Sequence, residues 1–259
     1  MFDQPQFLAL PPRSEKPRTQ GLTHVLDKGM SLRALEELLG HADYIDVVKI
    51  GWGIGYIAKD LASRVRMCRQ ADVSLCLGGT LLELAASRRA VPELARWAQA
   101  AGINALEVSN GLAAMSLPEK RELIRSLSND FDVFAETGTK DDGDDTSPHQ
   151  WVAEMEGDLE AGARHVIAEG RESGTVGLYR PDGSPRAELI AAITERLPFG
   201  RVIFEAPVKA QQTWLIRRFG ADVGLGNVDP EEILALETLR LGLRADTADL
   251  TPVADRALS

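Results

Sequence analysis

The strongest constraint on this chain is a repeated grammar. Short apolar runs end in a charged residue or a glycine, and a helix-patterned stretch follows each one. The runs cover 22–27, 44–51, 73–79, 103–111, the segment FDVFAETGTK (131–140), 165–174, 201–207 and 222–227. Between them, Leu32, Leu35, Leu38 and Leu39 fall at helical spacing after Ser31, and a second helix is predicted from about Ile57 to Gln70. Thr80 with Glu83 reads as a capping box, and Pro92 as a first-turn residue of a helix through Ala100. Ser116 with Glu119, and Ser147 with Gln150, read as further helix starts; 184–196 reads as helical, as does Asp229 through Leu241. Eight strand–helix repeats in 259 residues match a single closed (β/α)8 TIM-type barrel, for which ~250 residues is typical. An open doubly wound sheet would alternate in the same way. Against it, no GxGxxG follows the first strand, and the glycines at 51, 53 and 55 have the wrong spacing. The expected organisation is an N-terminal arm (1–20) carrying four prolines, a barrel domain (21–243) and a tail of little pattern (244–259).

Composition removes several classes of function. A formal net charge of -10 argues against nucleic acid or an anionic membrane as the main partner. No apolar run approaches membrane-spanning length and the N-terminus lacks a signal-peptide core, so a cytoplasmic location is expected. Cys68 and Cys76 suggest no disulfide framework, and the four histidines show no zinc-site spacing. The run Asp141-Asp142-Gly143-Asp144-Asp145 lacks the spacing of a calcium loop and reads as a solvated turn.

In such a barrel the C-terminal ends of the strands converge on one mouth, where active sites form. The residues expected there are Asp27 and Lys28, Lys49, Glu107 with Ser109 and Asn110, Glu136, Glu169 with Arg171, Glu205 and Asn227. A single strand-end charge is often just solvated or paired; so many carboxylates in one mouth need cations or a metal to coexist. Glu107, Glu136, Glu169 and Glu205, without nearby histidines, suit Mg²⁺, which takes one or two carboxylates plus waters and substrate oxygens. The remaining glutamates are then partners of Lys28, Lys49, Arg171 or Lys209. These cations imply an anionic substrate, with phosphate the favoured group. Gly224, Gly226 and Asn227, ahead of the Asp229 helix, occupy the customary phosphate position of such barrels. Trp52, in a glycine-rich loop, is a candidate to line the mouth, whereas Trp97, Trp151 and Trp214 read as helix faces packed on the sheet.

Several segments together resemble the phosphosulfolactate synthase family: KPRTQGLTHVLDKG (16–29), DYIDVVKIGWG (43–53), LCLGGTLLELA (75–85), LEVSNG (106–111), AETGTK (135–140), AEGRESGTVGLY (168–179), IFEAP (203–207) and 224–247. They span nearly the whole chain in order. The resemblance implies a Mg²⁺-dependent barrel enzyme that adds sulfite to phosphoenolpyruvate, giving (2R)-phospho-3-sulfolactate, as used in making coenzyme M or sulfolactate. It implies that Lys140, in a Glu-x-Gly-x-Lys segment, is the catalytic acid; Lys49 and Glu136, read from the strand ends, are the other catalytic candidates. Arg18, in the first matching segment, joins Lys28, Ser109, Asn110, Arg171, Gly226 and Asn227 as substrate-binding candidates. Family members carry a basic residue before that lysine, where this chain has Thr139. Two other readings share the fold: a lyase using a different nucleophile on phosphoenolpyruvate or a sugar phosphate, and a non-enzymatic protein of the heat-stress type. Assembly into a homo-oligomer is compatible with the sequence.

Overall fold

The computed structural model describes residues 7–112, 115–138 and 147–250. Eight parallel strands form a closed barrel in sequence order, β8 pairing back to β1. They are β1 (Thr23–Asp27), β2 (Val47–Ile50), β3 (Ser74–Leu77), β4 (Ala105–Val108), β5 (Asp132–Thr137), β6 (His165–Ala168), β7 (Val202–Glu205) and β8 (Gly224–Val228). The helices between them are α1 (Leu32–Leu39), α2 (Ile54–Ile57), α3 (Leu61–Gln70), α4 (Gly79–Ser87), α5 (Val91–Ala101), α6 (Leu117–Leu127), α7 (Pro148–Glu160), α8 (Ala187–Arg196) and α9 (Lys209–Phe219), with α10 (Ile233–Arg240) after β8. The (β/α)8 expectation therefore holds. The strands are short and buried on both faces because helices cover the outside and side chains fill the inside.

Local chemistry sets the helix starts. Ser31 accepts from the Ala34 amide, and Ser116 and Ser147 close capping boxes with Glu119 and Gln150. The Thr80–Glu83 box does not form: α4 begins at Gly79 with Gly78 as its cap, and Glu83 turns away to the loop after β4. The sixth strand is shorter than its apolar run, ending at Ala168. Arg171, Gly174 and Gly177 then take left-handed backbone conformations that no strand accommodates.

Inside the barrel, Leu22, Val47, Cys76, Ala105, Phe134, Ile167 and Ile203 form a compact apolar floor. His24 and His165 flank Phe134 there, His165 stacked on its ring at 5.4 Å, and burial holds both imidazoles neutral. Strand side chains alternate with period two, so the residue two places beyond each floor residue also points inward. Those residues are Lys49 after Val47, Glu107 after Ala105, Glu136 after Phe134, Glu169 after Ile167 and Glu205 after Ile203. One periodicity thus places an ionic layer directly on the apolar floor.

The arm closes the opposite end. Residues 7–20 carry no helix or strand. Arg13 pairs with Asp222 and Glu237, Ser14 bonds Asp222, Lys16 reaches the Ala42 and Asp72 carbonyls, and Arg18 pairs with Asp46. After α10 the chain returns to its own barrel. Thr247 is buried and donates to the Leu239 carbonyl, while Asp249 takes both Arg217 nitrogens. Lys140 and the acidic run 141–145 lie outside the described residues.

Candidate active site

The mouth holds a cleft of about 450 Å³ lined by Lys49, Trp52, Gly78, Gly79, Thr80, Glu107, Ser109, Glu136, Glu169, Arg171, Glu172, Ser173, Glu205 and Asn227, among others. Every inward residue of the ionic layer reaches it. Lys49 Nζ sits between two glutamates, 2.9 Å from Glu107 Oε1 and 3.2 Å from Glu205 Oε1. Their other oxygens are held by main-chain donors. Glu107 Oε2 accepts from the Gly79 amide at 2.9 Å, and Glu205 Oε2 from the Gly170 and Arg171 amides at 2.9 and 2.8 Å. Burial alone would strip the Lys49 proton, but Glu107, Glu205 and Glu136 outweigh it and raise the ammonium well above its ordinary range. Lys49 is a fixed positive charge and a poor acid.

Glu136 is the reverse case. Among the described residues no hydrogen bond or ion pair is made by its carboxylate. Burial, followed by the neighbouring charges of Glu107, Glu169 and Glu205, pushes its pKa well up. Glu169 faces Arg171 Nε at 3.5 Å. The cleft lining sets five carboxylates (Glu107, Glu136, Glu169, Glu172, Glu205) against two cations, Lys49 and Arg171. Oxygens of Glu107, Glu136 and Glu205 lie within 4.8 Å of one another, a set of hard donors that fits Mg²⁺ and not a soft metal. Glu169 stands outside that group of three.

Three residues of the mouth, Trp52, Arg171 and Asn227, have positive φ (49°, 53° and 53°), a conformation a non-glycine side chain seldom adopts. Strain of this kind concentrates where side chains are aimed at a ligand. Asn227 is buried, and its Oδ1 has no partner among the described residues. Ser109 donates its hydroxyl proton to Glu83, so its oxygen turns lone pairs toward the cleft. Glu83 also accepts from the Gly111 and Leu112 amides and so fixes the whole β4 exit. Gly79 packs so closely on Ser109 that a Cβ there would overlap the hydroxyl.

Other expected residues do not join this cleft. Arg18 lies at the closed end, bonded to Asp46 and to the Ser14 and Asp43 carbonyls, because it precedes β1 and so sits below the barrel. Lys28 pairs with Asp229 at 3.6 Å beside a separate groove, and Lys209 pairs with Asp246. The Asn110 side chain closes a loop onto both main-chain groups of Met115. Gly224 and Gly226 are strand residues, not a phosphate turn. A Cβ on Gly226 would press on Ile203 and come against Glu205 and His24. The helix start beyond them is already capped by the Asp229 carboxylate, which accepts from Glu231, so negative charge occupies that place. Asp27 serves structure, bonding Arg64 and the Gly29 and Met30 amides.

Sequence reasoning missed Gly78, Gly79 and Thr80 as cleft residues, and Glu172 with Ser173. For the first three the available signal was a glycine pair between a strand and a helix, the usual sign of a backbone that must approach something closely.

The chain matches the model of the (2R)-phospho-3-sulfolactate synthase (ComA) family over residues 11–246. It is 43% identical over 244 residues to a phosphosulfolactate synthase of Methanothermobacter thermautotrophicus, covering 92% of this chain and 95% of that one. It is 38% identical over 244 residues to one of Bacillus subtilis, covering 93% and 97%. Among solved structures it resembles 3-keto-L-gulonate-6-phosphate decarboxylase from Vibrio cholerae (TM-score 0.54, 12% identity, 90% of this chain and 100% of that chain), a likeness of fold alone. Matched over nearly its whole barrel and at this identity to relatives of the same length, the chain belongs to the phosphosulfolactate synthase family.

Proposed function

We propose that the chain adds sulfite to phosphoenolpyruvate to give (2R)-phospho-3-sulfolactate. The observation that carries this reading is the family match across residues 11–246, joined to a mouth in which carboxylates exceed cations. In this reaction the sulfur lone pair forms a bond to C3, the double-bond electrons move to C2, and a proton closes C2 while the phosphate ester stays intact. Both reactants are multiply charged anions, so the site must hold them together against repulsion and in line. Arg171, on its left-handed turn, presents a guanidinium that suits a phosphate or carboxylate. Thr80, in the first turn of α4, offers donors on the facing wall, while the glycine pair beside it lets the backbone come close. Lys49 keeps Glu107 and Glu205 in place.

Glu107, Glu136 and Glu205 would hold Mg²⁺, with Glu169 at their side; such an ion supplies Lewis-acid stabilisation of charge building on the substrate carboxylate. The proton to C2 is assigned to Lys140, which follows Glu136 and Gly138 in the chain.

Phosphorus-31 NMR of the protein with phosphoenolpyruvate and Mg²⁺, with and without sulfite, tests the proposal. A new phosphate ester is expected only when sulfite is present. Consumption without sulfite, or no turnover with it, overturns the assignment of the nucleophile.

A further inference from the structure

Behind β5, outside the barrel, a buried lysine plays no part in the chemistry described above. Lys120, on α6, is fully buried, and its ammonium makes three short bonds: to Asp158 Oδ2 and Glu154 Oε1, both at 2.7 Å on α7, and to the main-chain carbonyl of Glu136 at 2.8 Å. The third bond is the informative one. β4 makes its last pairing at Val108, opposite Ala135, whereas β5 runs on to Thr137. At Glu136 the strand has therefore outrun its neighbour on that side, and Lys120 supplies the donor that β4 does not.

Stability alone is a poor reason for such a group. Burying an ammonium and a carboxylate costs several kcal/mol per ion, and well-packed apolar residues usually serve a core as well or better. A buried ionic cluster that ends on one carbonyl fixes position, and the position fixed here is that of Glu136. From Glu136 the chain passes through Gly138, whose left-handed conformation (φ 156°) and contact with the Glu169 side chain leave no room for a Cβ.

We infer that Lys120 is a positioning residue. Oriented by Asp158 and Glu154, it pins the exit of β5 and so sets where Glu136 meets the cleft. The functional half of this inference rests on the proposed reaction; the pin itself does not. Misplacing a reacting group by about 1 Å costs roughly 10²-fold in rate, so loss of the pin is read mainly in kcat.

The test compares three proteins. The triple variant Lys120→Met/Glu154→Gln/Asp158→Asn removes the pin without leaving a buried charge unpaired. Glu154→Gln alone keeps Lys120, Asp158 and the carbonyl bond. Melting temperature, kcat with sulfite and phosphoenolpyruvate, and hydrogen exchange of the peptide spanning 131–138 are measured for both and for wild type. The triple variant is expected to melt within a few degrees of wild type, to exchange faster in that peptide, and to lose roughly 10–100-fold in kcat. Glu154→Gln is expected to stay within about threefold. Should the triple variant not fold, the exchange and kcat expectations pass to Lys120→Gln/Asp158→Asn, which leaves no fully buried charge unpaired and whose shorter side chain at 120 cannot reach both position 158 and the carbonyl. Unchanged exchange in a folded variant, or kcat within twofold of Glu154→Gln, overturns the inference. If wild type itself fails to turn over, the reaction assignment falls, and exchange alone decides the pin.

Discussion

The two ends of this barrel are both rich in charge, and they use it differently. At the closed end a groove is lined by Lys16, Arg18, Arg69 and Arg164 against Asp46, Asp72 and Asp132, four cations to three carboxylates. Nearly every one is spent on a named neighbour: Arg18 on Asp46, Arg164 on Asp132, Lys16 on two carbonyls. At the mouth the lining holds five carboxylates and two cations, and Glu136 is left without a described partner. A balanced, paired set of charges ties chain segments together. An unbalanced set under low solvent access is unstable until something positive binds, and that imbalance marks the working end.

The largest expected effect breaks the mouth. Lys140→Ala should lose 10²–10⁴-fold in kcat, the usual size of a general-acid contribution, and Lys140→Arg should not rescue it because a guanidinium holds its proton too tightly. Near wild-type turnover in Lys140→Ala would take the proton-donor role away from this lysine.

Next in size is Lys49→Met. Removing this ammonium leaves Glu107 and Glu205 buried without their cation, which costs about 3–5 kcal/mol; a urea titration measures it. Adding Glu107→Gln to that variant should recover part of the loss. If Lys49→Met is as stable as wild type, the layer tolerates unpaired charge and the contrast between the two ends weakens.

How much of this was legible beforehand follows from which signals are local. Lys49, Glu107, Glu136, Glu169 and Glu205 could be read because each closes an apolar run, and the period of two carries all five inward. Arg18 was misplaced because a matching segment does not say at which end of the barrel it lies; it precedes β1 and so belongs below. Gly224 and Gly226 were expected to serve a phosphate, since a glycine needed for close strand packing and one needed for approach to a ligand are the same letter. Glu83 had the spacing of a capping box, yet its carboxylate goes to Ser109 and the β4 exit, a contact between distant segments. Lys120 sits in an ordinary amphipathic pattern; only the tertiary structure shows it buried against Asp158.

A smaller effect comes from the floor. Burial lowers the His165 pKa from 6.5 to about 4. The folded protein therefore holds the imidazole neutral where the unfolded chain would protonate it. This contribution is complete above pH 6.5 and is lost as the pH falls from 6.5 toward about 4, at up to about 1.4 kcal/mol per pH unit. His165→Phe should flatten the stability profile across that window. An unchanged slope would assign the acid sensitivity elsewhere.

The smallest effect is the control at the closed end. Arg18→Met breaks a pair whose side chains are only 4% and 8% exposed, so about 1–3 kcal/mol of stability should go, seen as a drop of several degrees in Tm. Its kcat should stay within twofold of wild type. A large fall in kcat at unchanged stability would return Arg18 to the substrate and erase the division between the ends.

The central claim is that surplus carboxylates make the mouth a seat for a divalent cation serving two anionic reactants. The most direct measurement is the initial rate of sulfite addition to phosphoenolpyruvate in EDTA, followed by titration with Mg²⁺. The account predicts no rate in EDTA, full recovery with Mg²⁺, and a recovery curve displaced to higher Mg²⁺ in Glu136→Gln but not in Arg18→Met. Full turnover in EDTA would contradict it.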